Sequence, residues 1–316
     1  MFAVRFEEFG DPRVLALGTA PAPRPEPGQI RVRVRAAGVS PADAALRSGR
    51  TPMSARLTLP HIPGVDAAGV VDEIGDGVGG VAAGDEVFGV VDLAKLGGAS
   101  AEFAVLHLWA DKPAGMPWEQ AGAAGSSVET ATRALDLLDL EPGMTLLIDG
   151  AAGGVGSVAV QLAVARGVRV VGTARAANHD FLARLGAAPI TYGPGLAGRV
   201  TGRVDRALDV AGAGSVPELI GLTGDPGAVL TLADFTAREL GVRLSMGQLA
   251  GEPDGGHGLA VAADLFTRGR FTVPIDAAFP LAKAADAHEL AEQGSRRGKI
   301  VLTVDSVRRA RTGSRL

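Results

Sequence analysis

Residues 145–173, TLLIDGAAGGVGSVAVQLAVARGVRVVGT, contain the pattern that decides the fold. Thr145–Asp149 is an apolar run of the length of a strand, and Gly150–Gly154 is a turn with almost no side chains. Val155–Arg166 is apolar at helical spacing and ends before a glycine, and the β-branched run Val168–Val171 follows at once. This order of strand, turn, helix and strand predicts a βαβ unit.

The turn has the spacing of a dinucleotide-binding loop, Ala151-x-Gly153-x-x-Gly156, with alanine at the first position. A phosphate can approach a helix N-terminus only where backbone N–H groups point at it and no side chain blocks the way. We expect Gly153 to let the backbone reach a pyrophosphate and Gly156 to let the helix pack closely on the strand. The alternative is a glycine-rich turn that binds nothing. The cofactor-binding residues predicted in this turn are Ala152, Gly153, Gly154, Val155 and Gly156.

Length and composition favour two domains and disfavour nucleic acid as a partner. The chain has 316 residues, of which 47% are hydrophobic and 21% charged, so a large core can form. The net charge is −4, and basic residues cluster only in the tail from Arg308, which we expect to be a frayed end. Nucleic-acid binding would require a more basic surface.

The chain contains no cysteine, which excludes disulfides, thiol catalysis and thiolate ligands for zinc. It also contains no long uninterrupted apolar stretch and no recognisable signal peptide. We therefore expect a cytoplasmic protein that does not insert into a membrane.

Residues 2–110 contain short strand-like runs separated by proline and glycine clusters, a pattern typical of a β-rich domain. Apolar and charged residues alternate over 30–35, which predicts a strand with one buried face. A helix is predicted to follow, with Ser40 as its N-cap, Pro41 at its first position and Asp43 as its capping acid.

From Trp118 onward, helical and strand-like runs alternate with short connections, which predicts a doubly wound parallel sheet. Two helices, over Leu259–Thr267 and Phe279–Glu292, and a final strand over Lys299–Val304 complete the pattern. We assign these last elements to the first, β-rich domain.

The chain resembles the medium-chain dehydrogenase/reductase superfamily over nearly its whole length. The resemblance is carried by ordered segments, among them HIPGVDAAGVVDEIG (61–75), GDEVFGV (84–90), LIDGAAGGVGSVAVQLA (147–163) and GKIVLTV (298–304). Within the superfamily the chain is most similar to the zinc-free, zeta-crystallin-like branch of quinone oxidoreductases.

This resemblance implies an α/β fold in which a Rossmann NADP-binding domain over 117–257 is inserted in a GroES-like catalytic domain formed by 1–116 and 258–316. It also implies a homodimer and hydride transfer to a quinone or an α,β-unsaturated carbonyl. Zinc alcohol dehydrogenases of the superfamily carry His-Glu where this chain has Val65 and Asp66. Because cysteine is also missing, we predict no metal ligands.

The end of the second predicted strand favours NADPH over NADH. An NAD enzyme of this fold carries an acidic residue there for the ribose 2′-hydroxyl. In VVGTARAANHD (170–180) that place is taken by Arg175, with Thr173 and Asn178 beside it, and a guanidinium binds phosphate well. The resemblance adds Tyr192, the single tyrosine of the chain, as a neighbour of the 2′-phosphate. The alternative is that Arg175 is a solvated surface arginine.

The resemblance places Thr130 near the nicotinamide, and Ser40 near the nicotinamide ribose or the substrate carbonyl. A mid-helix threonine and a helix N-cap are the alternatives for these two candidate catalytic residues. Many quinone oxidoreductases have asparagine where this chain has Ser40, so its substrate is expected to differ from a simple quinone. Three further cofactor contacts are predicted after the fourth and fifth parallel strands, at Ala211, Gly212 and Ala233.

For three other polar residues the sequence favours structural roles. Asp43 is predicted to cap its helix, His61 to be a structural residue in a proline-rich turn, and Lys299 to be a surface lysine.

The sequence therefore predicts an NADPH-dependent, zinc-independent reductase of quinones or enones. One alternative is an enoyl reductase for acyl thioesters or polyketides, which often uses a tyrosine as proton donor. The single tyrosine, Tyr192, already matches a cofactor position, which disfavours that alternative. An alternative of another class is a non-catalytic, crystallin-like NADPH-binding or RNA-binding protein, and the acidic balance disfavours RNA.

Overall fold

A computed structural model describes residues 1–293 and 297–304. The basic tail from Arg308 lies outside the described residues. The chain forms two compact units, one from Met1–Ser126 together with the residues from Leu259 onward, and one from Ser127–Gly258. The α/β class, with a parallel-sheet unit between two parts of a β-rich unit, is confirmed. The predicted domain bounds stay predictions.

The helices and strands are numbered in chain order. The strands are β1 (Phe2–Arg5), β2 (Ala16–Thr19), β3 (Ile30–Val39), β4 (Asp66–Ile74), β5 (Glu86–Val90), β6 (Phe103–Leu106), β7 (Leu108–Asp111), β8 (Thr145–Asp149), β9 (Arg169–Ala174), β10 (Ala187–Thr191), β11 (Arg206–Asp209), β12 (Val229–Thr231), β13 (Arg243–Leu244), β14 (Ile275–Pro280) and β15 (Lys299–Thr303). The α-helices are α1 (Pro41–Arg47), α2 (Trp118–Leu137), α3 (Gly154–Ala165), α4 (His179–Arg184), α5 (Val216–Thr223), α6 (Gly258–Thr267) and α7 (Ala284–Glu292).

The β-rich unit is built on a seven-stranded sheet. Six of its strands follow the order β14-β15-β3-β4-β5-β7, and the seventh, β6, pairs with β3. The alternation predicted for β3 is confirmed, because Ile30, Val32 and Val34 are buried while Arg33 is exposed. These residues belong to the apolar core of this unit.

The helix predicted over Phe279–Glu292 is wrong in its first part. Residues Ile275–Pro280 form β14, which pairs in parallel with β15, and the α-helix begins only at Ala284. The residue before a proline is disfavoured in helical conformation, so Pro280 holds Phe279 in extended backbone.

A buried ion pair crosses β3 in this unit. Lys299 Nζ in β15 lies 2.9 Å from Asp66 Oδ2 in β4, with the two side chains 7% and 1% exposed. β3 lies between these strands, and at the crossing point it presents Gly38, where an added Cβ would lie 2.7 Å from Asp66 Oδ2. The prediction that Lys299 is a surface lysine is therefore wrong. Its burial was not visible in the sequence because its partner, Asp66, is more than 200 residues away along the chain.

The second unit is a six-stranded, all-parallel sheet with the order β10-β9-β8-β11-β12-β13. In chain order this is 3-2-1-4-5-6, the arrangement of the dinucleotide-binding fold, and the strand order reverses between β8 and β11. Leu146, Leu147 and Ile148 of β8 are all fully buried, as expected of a central parallel strand covered on both faces. Ligands of such sheets bind outside the carboxyl ends of the strands, at this reversal.

The close packing predicted for Gly156 is confirmed. A Cβ added at Gly156 would overlap the carbonyl oxygen of Gly150, so glycine alone lets α3 approach the end of β8 this closely. We expect Gly156→Ala to lower the free energy of unfolding by about 1–3 kcal/mol, because the helix must shift away from the strand. Urea unfolding followed by circular dichroism measures this change.

Gly221→Ala is the matched control, because a Cβ at this α5 position meets nothing within 4 Å. It should raise stability by about 0.5–1 kcal/mol through helix propensity. Equal effects of the two substitutions would contradict the packing argument.

The ion pair gives a second prediction. Lys299→Met should lower the free energy of unfolding by about 3–5 kcal/mol, because it leaves Asp66 buried and uncompensated. Combining it with Asp66→Asn should recover part of that loss. The control is Lys283→Met, whose pair with Asp286 is largely exposed and whose loss should cost less than about 0.5 kcal/mol. Equal losses for Lys299→Met and Lys283→Met would contradict the burial argument.

Candidate functional site

The carboxyl edge of the parallel sheet collects the predicted cofactor-binding residues in one place. The register pairs Asp149 of β8 with Asp209 of β11, and Ala174 of β9 with Thr191 of β10, so that these strands end at the same level. Thr173 lies within β9, one residue before its end. The segments that follow these strands and β12 carry the other predicted residues, which are Ala152, Gly153, Gly154, Val155, Gly156, Arg175, Asn178, Tyr192, Ala211, Gly212 and Ala233.

The glycine turn, Gly150–Gly154, leaves the N-terminus of α3 open. Gly153 is the N-cap residue, and among the described residues no side chain caps this helix end. A Cβ added at Gly153 would come only within 3.4 Å of the Gly150 carbonyl oxygen, so nothing else crowds that face. The first N–H groups of a helix have no partner within it, so those of Gly154, Val155 and Gly156 can bind an anion. The turn therefore fits the pyrophosphate of a dinucleotide.

Thr173, in the neighbouring strand β9, is hydrogen-bonded to the start of the glycine turn. Its hydroxyl accepts a hydrogen bond from the Gly150 N–H at 3.0 Å and donates one to Asp149 Oδ1. Ser215 Oγ donates to the other oxygen of Asp149 at 2.6 Å. Because the Thr173 hydroxyl forms both of these hydrogen bonds within the chain, its role in this structure is to fix the position of the glycine turn. Sequence reasoning missed Asp149 and Ser215, although an acid at the end of a buried strand was a visible signal.

Asp209 organises the segment after β11. Its Oδ1 accepts hydrogen bonds from the N–H groups of Ala211 and Gly212, at 3.0 and 2.9 Å, and its Oδ2 accepts one from Thr231 Oγ1 at 2.7 Å. Burial raises the pKa of the Asp209 carboxyl, against the opposing effect of these hydrogen bonds. The predicted contacts at Ala211 and Gly212 can therefore be made by carbonyl groups, since both N–H groups already donate to Asp209.

The end of β12 touches the same segment. The Ala233 N–H donates to Thr231 Oγ1 at 3.1 Å, and a Cβ added at Gly212 would lie 2.9 Å from the Ala233 Cβ. Only glycine fits at position 212, whose φ of +59° is also unfavourable for other residues.

Arg175 and Tyr192 lie at neighbouring strand ends. Each follows directly after a strand, and the last residues of those strands, Ala174 and Thr191, are register partners. Arg175 is exposed, and the Tyr192 side chain is 49% exposed, so both groups are accessible to a ligand at this edge. Asn178 is half-buried in the turn after Arg175, with its N–H bonded to the Arg175 carbonyl at 2.8 Å. The prediction of a 2′-phosphate site here fits this geometry.

Thr130 lies beside a buried ionic cluster in the same unit. Thr130 Oγ1 donates to Glu129 Oε2 at 2.9 Å, and Glu129 pairs with Arg133 at 3.0 Å. Arg133 also donates to Ser245, directly after β13, and lies 3.4 Å from Glu252. The Thr130 Oγ1 also accepts a hydrogen bond from Arg133 Nη2 at 3.5 Å, so the hydroxyl both donates and accepts within this cluster. Sequence reasoning missed this cluster, whose members come from three separate segments.

Ser40, in the β-rich unit, is the N-cap of α1, and the predicted capping box with Asp43 is confirmed. Ser40 Oγ donates to Asp43 Oδ2 at 2.7 Å, and the N–H groups of Ser40 and Gly64 also donate to this carboxyl, at 2.8 and 3.1 Å. Burial raises the pKa of Asp43, and the nearby Asp66 raises it further. A serine that caps a helix can also contact a ligand, so the role of Ser40 at the reacting centre stays a prediction.

His61 has the structural role predicted from the sequence. Its Nε2 lies 3.1 Å from the Leu96 carbonyl oxygen, and its ring packs edge-on against Phe6. Burial lowers the pKa of His61, so the neutral ring is favoured.

In residues 1–293 and 297–304, no three His, Asp or Glu side chains lie close enough together to hold a metal ion. Within the same ranges, none of the helices combines the length and the apolar character needed to cross a bilayer.

Family comparisons match both units. Residues 26–133 match the alcohol dehydrogenase GroES-like domain, and residues 185–302 match a zinc-binding dehydrogenase domain. Among curated proteins, the quinone oxidoreductase of Rattus norvegicus is 36% identical over 181 residues, which cover 55% of this chain and 53% of that protein. The chloroplastic NADPH-dependent alkenal/one oxidoreductase of Arabidopsis thaliana is 34% identical over 161 residues, covering 48% of this chain and 42% of that protein. The aligned part thus spans about half the length of these relatives or less.

A solved structure matches over nearly the whole length of both chains. The quinone oxidoreductase from Coxiella burnetii is 30% identical, with a TM-score of 0.84, and the match covers 96% of this chain and 99% of that one. This match includes both of the regions that match the domain families, in a single chain. The chain belongs to the medium-chain dehydrogenase/reductase superfamily, among the quinone oxidoreductases.

Proposed function

We propose that the chain is an NADPH-dependent reductase that transfers hydride to a quinone or to the β-carbon of an α,β-unsaturated carbonyl. The observation that carries the proposal is the open N-terminus of α3 at the reversal of strand order, with Arg175 and Tyr192 at the two neighbouring strand ends. The similarity to the rat quinone oxidoreductase and to the Arabidopsis alkenal/one oxidoreductase supports the two acceptor classes.

In this proposal the residues of the chain bind the cofactor and orient it. The N–H groups of Gly154, Val155 and Gly156 bind the pyrophosphate, and Arg175 and Tyr192 bind the 2′-phosphate through charge-assisted hydrogen bonds. When bound, NADPH supplies the hydride, a reaction in which the protein contributes chiefly proximity and orientation.

Thr130 and Ser40 are the proposed groups near the reacting atoms. Thr130, whose proton goes to Glu129, accepts a hydrogen bond from an N–H of the nicotinamide carboxamide. Ser40, whose Oγ lies 2.7 Å from Asp43 Oδ2, is the second of these groups, and the proton for the reduced acceptor comes from water, from Ser40 or from another group. A metal ion is not part of the proposal, because the chain has no cysteine and has Val65-Asp66 where the zinc enzymes have His-Glu.

The enoyl reductase alternative is disfavoured by the position of the single tyrosine. Tyr192, directly after β10, is assigned to the 2′-phosphate in this proposal, and the sequence has no second tyrosine to protonate an enolate. A homodimer stays a prediction from the resemblance, and a cytoplasmic location stays a prediction from the sequence.

Side-by-side titration of the full chain with NADPH and NADH tests the proposal. A charged hydrogen bond of about 1.5–3 kcal/mol corresponds to roughly a tenfold to hundredfold lower Kd for NADPH. We expect tryptophan fluorescence and thermal unfolding to show this preference, and Arg175→Ala to abolish it. Arg203→Ala is the control, because this exposed arginine pairs with Asp205 instead.

Turnover separates the classes of protein. We expect steady oxidation of NADPH with quinones or alkenones as acceptors. Equal affinity for both nucleotides would contradict the NADPH preference. Tight NADPH binding without oxidation by any acceptor would favour the non-catalytic class.

A further inference from the structure

The loop after β10, residues 192–195, carries Tyr192 and contains two glycines in left-handed backbone. Gly193 and Gly195 have φ values of +97° and +76°. Glycine loses more conformational freedom on ordering than any other residue, so two glycines make such a surface loop costly to hold in one shape. Contacts from outside the loop must therefore order it.

Arg199 supplies these contacts from one side. Its Nε donates to the Thr191 carbonyl at 2.9 Å, its Nη1 to the Pro194 carbonyl at 3.0 Å, and its Nη2 to the Gly193 carbonyl. All three guanidinium nitrogens thus bind carbonyl groups on both sides of Tyr192. A guanidinium is planar and its donors have fixed directions, so the three carbonyls are held in one mutual arrangement.

The arrangement determines where Tyr192 points. The peptide between Thr191 and Tyr192 is planar, so binding of its carbonyl to Arg199 turns the Tyr192 N–H in the opposite direction. Thr191 is in turn the register partner of Ala174, which directly precedes Arg175. Fixing the backbone on both sides of Tyr192 therefore fixes the direction of its Cα–Cβ bond relative to the end of β9 beside Arg175, which limits the positions that its phenol can take.

We propose that Arg199 is a positioning residue for recognition of the NADPH 2′-phosphate. It acts by holding Tyr192 in place, because each of its three nitrogens donates to a carbonyl of the loop. The inference rests on the proposed function, because it requires that the phosphate is bound at Arg175 and Tyr192. It follows that loss of Arg199 weakens binding of NADPH and leaves binding of NADH, which has no 2′-phosphate, nearly unchanged.

Glu218 provides a matched control on the other side of the loop. Its carboxylate accepts hydrogen bonds from the N–H groups of Gly195 and Ala197, at 3.2 and 3.0 Å. It anchors the end of the loop, and both of its hydrogen bonds are to N–H groups beyond Pro194, away from the peptides that flank Tyr192. Glu218→Gln thus perturbs the same loop without changing the arrangement around the tyrosine.

The test is the ratio of the Kd values for NADPH and NADH, measured by fluorescence titration of the full chain. We expect Arg199→Gln to raise the Kd for NADPH about tenfold and that for NADH less than about twofold. Arg199→Lys should behave like Arg199→Gln, because a compact ammonium cannot replace a planar fork bound to three carbonyls. Glu218→Gln and Arg203→Ala should leave the ratio unchanged.

A double-mutant cycle with Tyr192→Phe completes the test. If Arg199 acts through Tyr192, the double variant loses clearly less NADPH affinity than the product of the two single losses. Fully additive losses would overturn the proposal, as would an Arg199→Lys variant with wild-type selectivity or an equal weakening of both nucleotides by Arg199→Gln.

The outcome for Arg175→Ala separates this inference from the proposed function. If wild type does not prefer NADPH and Arg175→Ala changes nothing, the proposed function fails and the inference fails with it. If Arg175→Ala abolishes the preference while Arg199→Gln retains it, only the positioning role of Arg199 is overturned.

Discussion

The contact between the start of α3 and the end of β8 is the constraint on which the cofactor unit depends. Gly156 lies so close to the Gly150 carbonyl that any side chain would force the helix outward. This approach brings the N-terminus of α3 over the point where the strand order reverses. The helix N-terminus then combines unpaired N–H groups with the positive end of the helix dipole, which is the physical basis of anion binding there.

Buried carboxylates hold the segments around this point, and they do so with complete hydrogen bonding. Asp149 and Asp209 are adjacent in the sheet register and both are buried. Burying such groups costs free energy unless partners satisfy them, and here hydroxyls from Thr173, Ser215 and Thr231 donate to them. The resulting network orders the turns that follow the strands while presenting backbone atoms, not acidic side chains, at the edge of the sheet.

The β-rich unit uses a different device. There the ion pair of Lys299 and Asp66 crosses a central strand at Gly38, where the missing side chain leaves room. The carboxylate also accepts a hydrogen bond from the Ser126 N–H, so its two oxygens are both bound. Replacing a whole buried pair by apolar residues often leaves stability unchanged, whereas removing one partner of the pair is strongly destabilising.

The sequence by itself determined the features that depend on neighbouring residues. The glycine turn, the βαβ unit and the capping box at Ser40 follow from spacing and local hydrogen bonding, which are properties of short segments. The helix predicted through Phe279 was wrong because a local apolar pattern was weighed above the effect of the following proline. Tertiary structure alone decided the burial of Lys299, the use of the Thr173 hydroxyl and the direction of the Arg199 guanidinium. Each depends on a partner brought close by folding, which periodicity and composition do not encode.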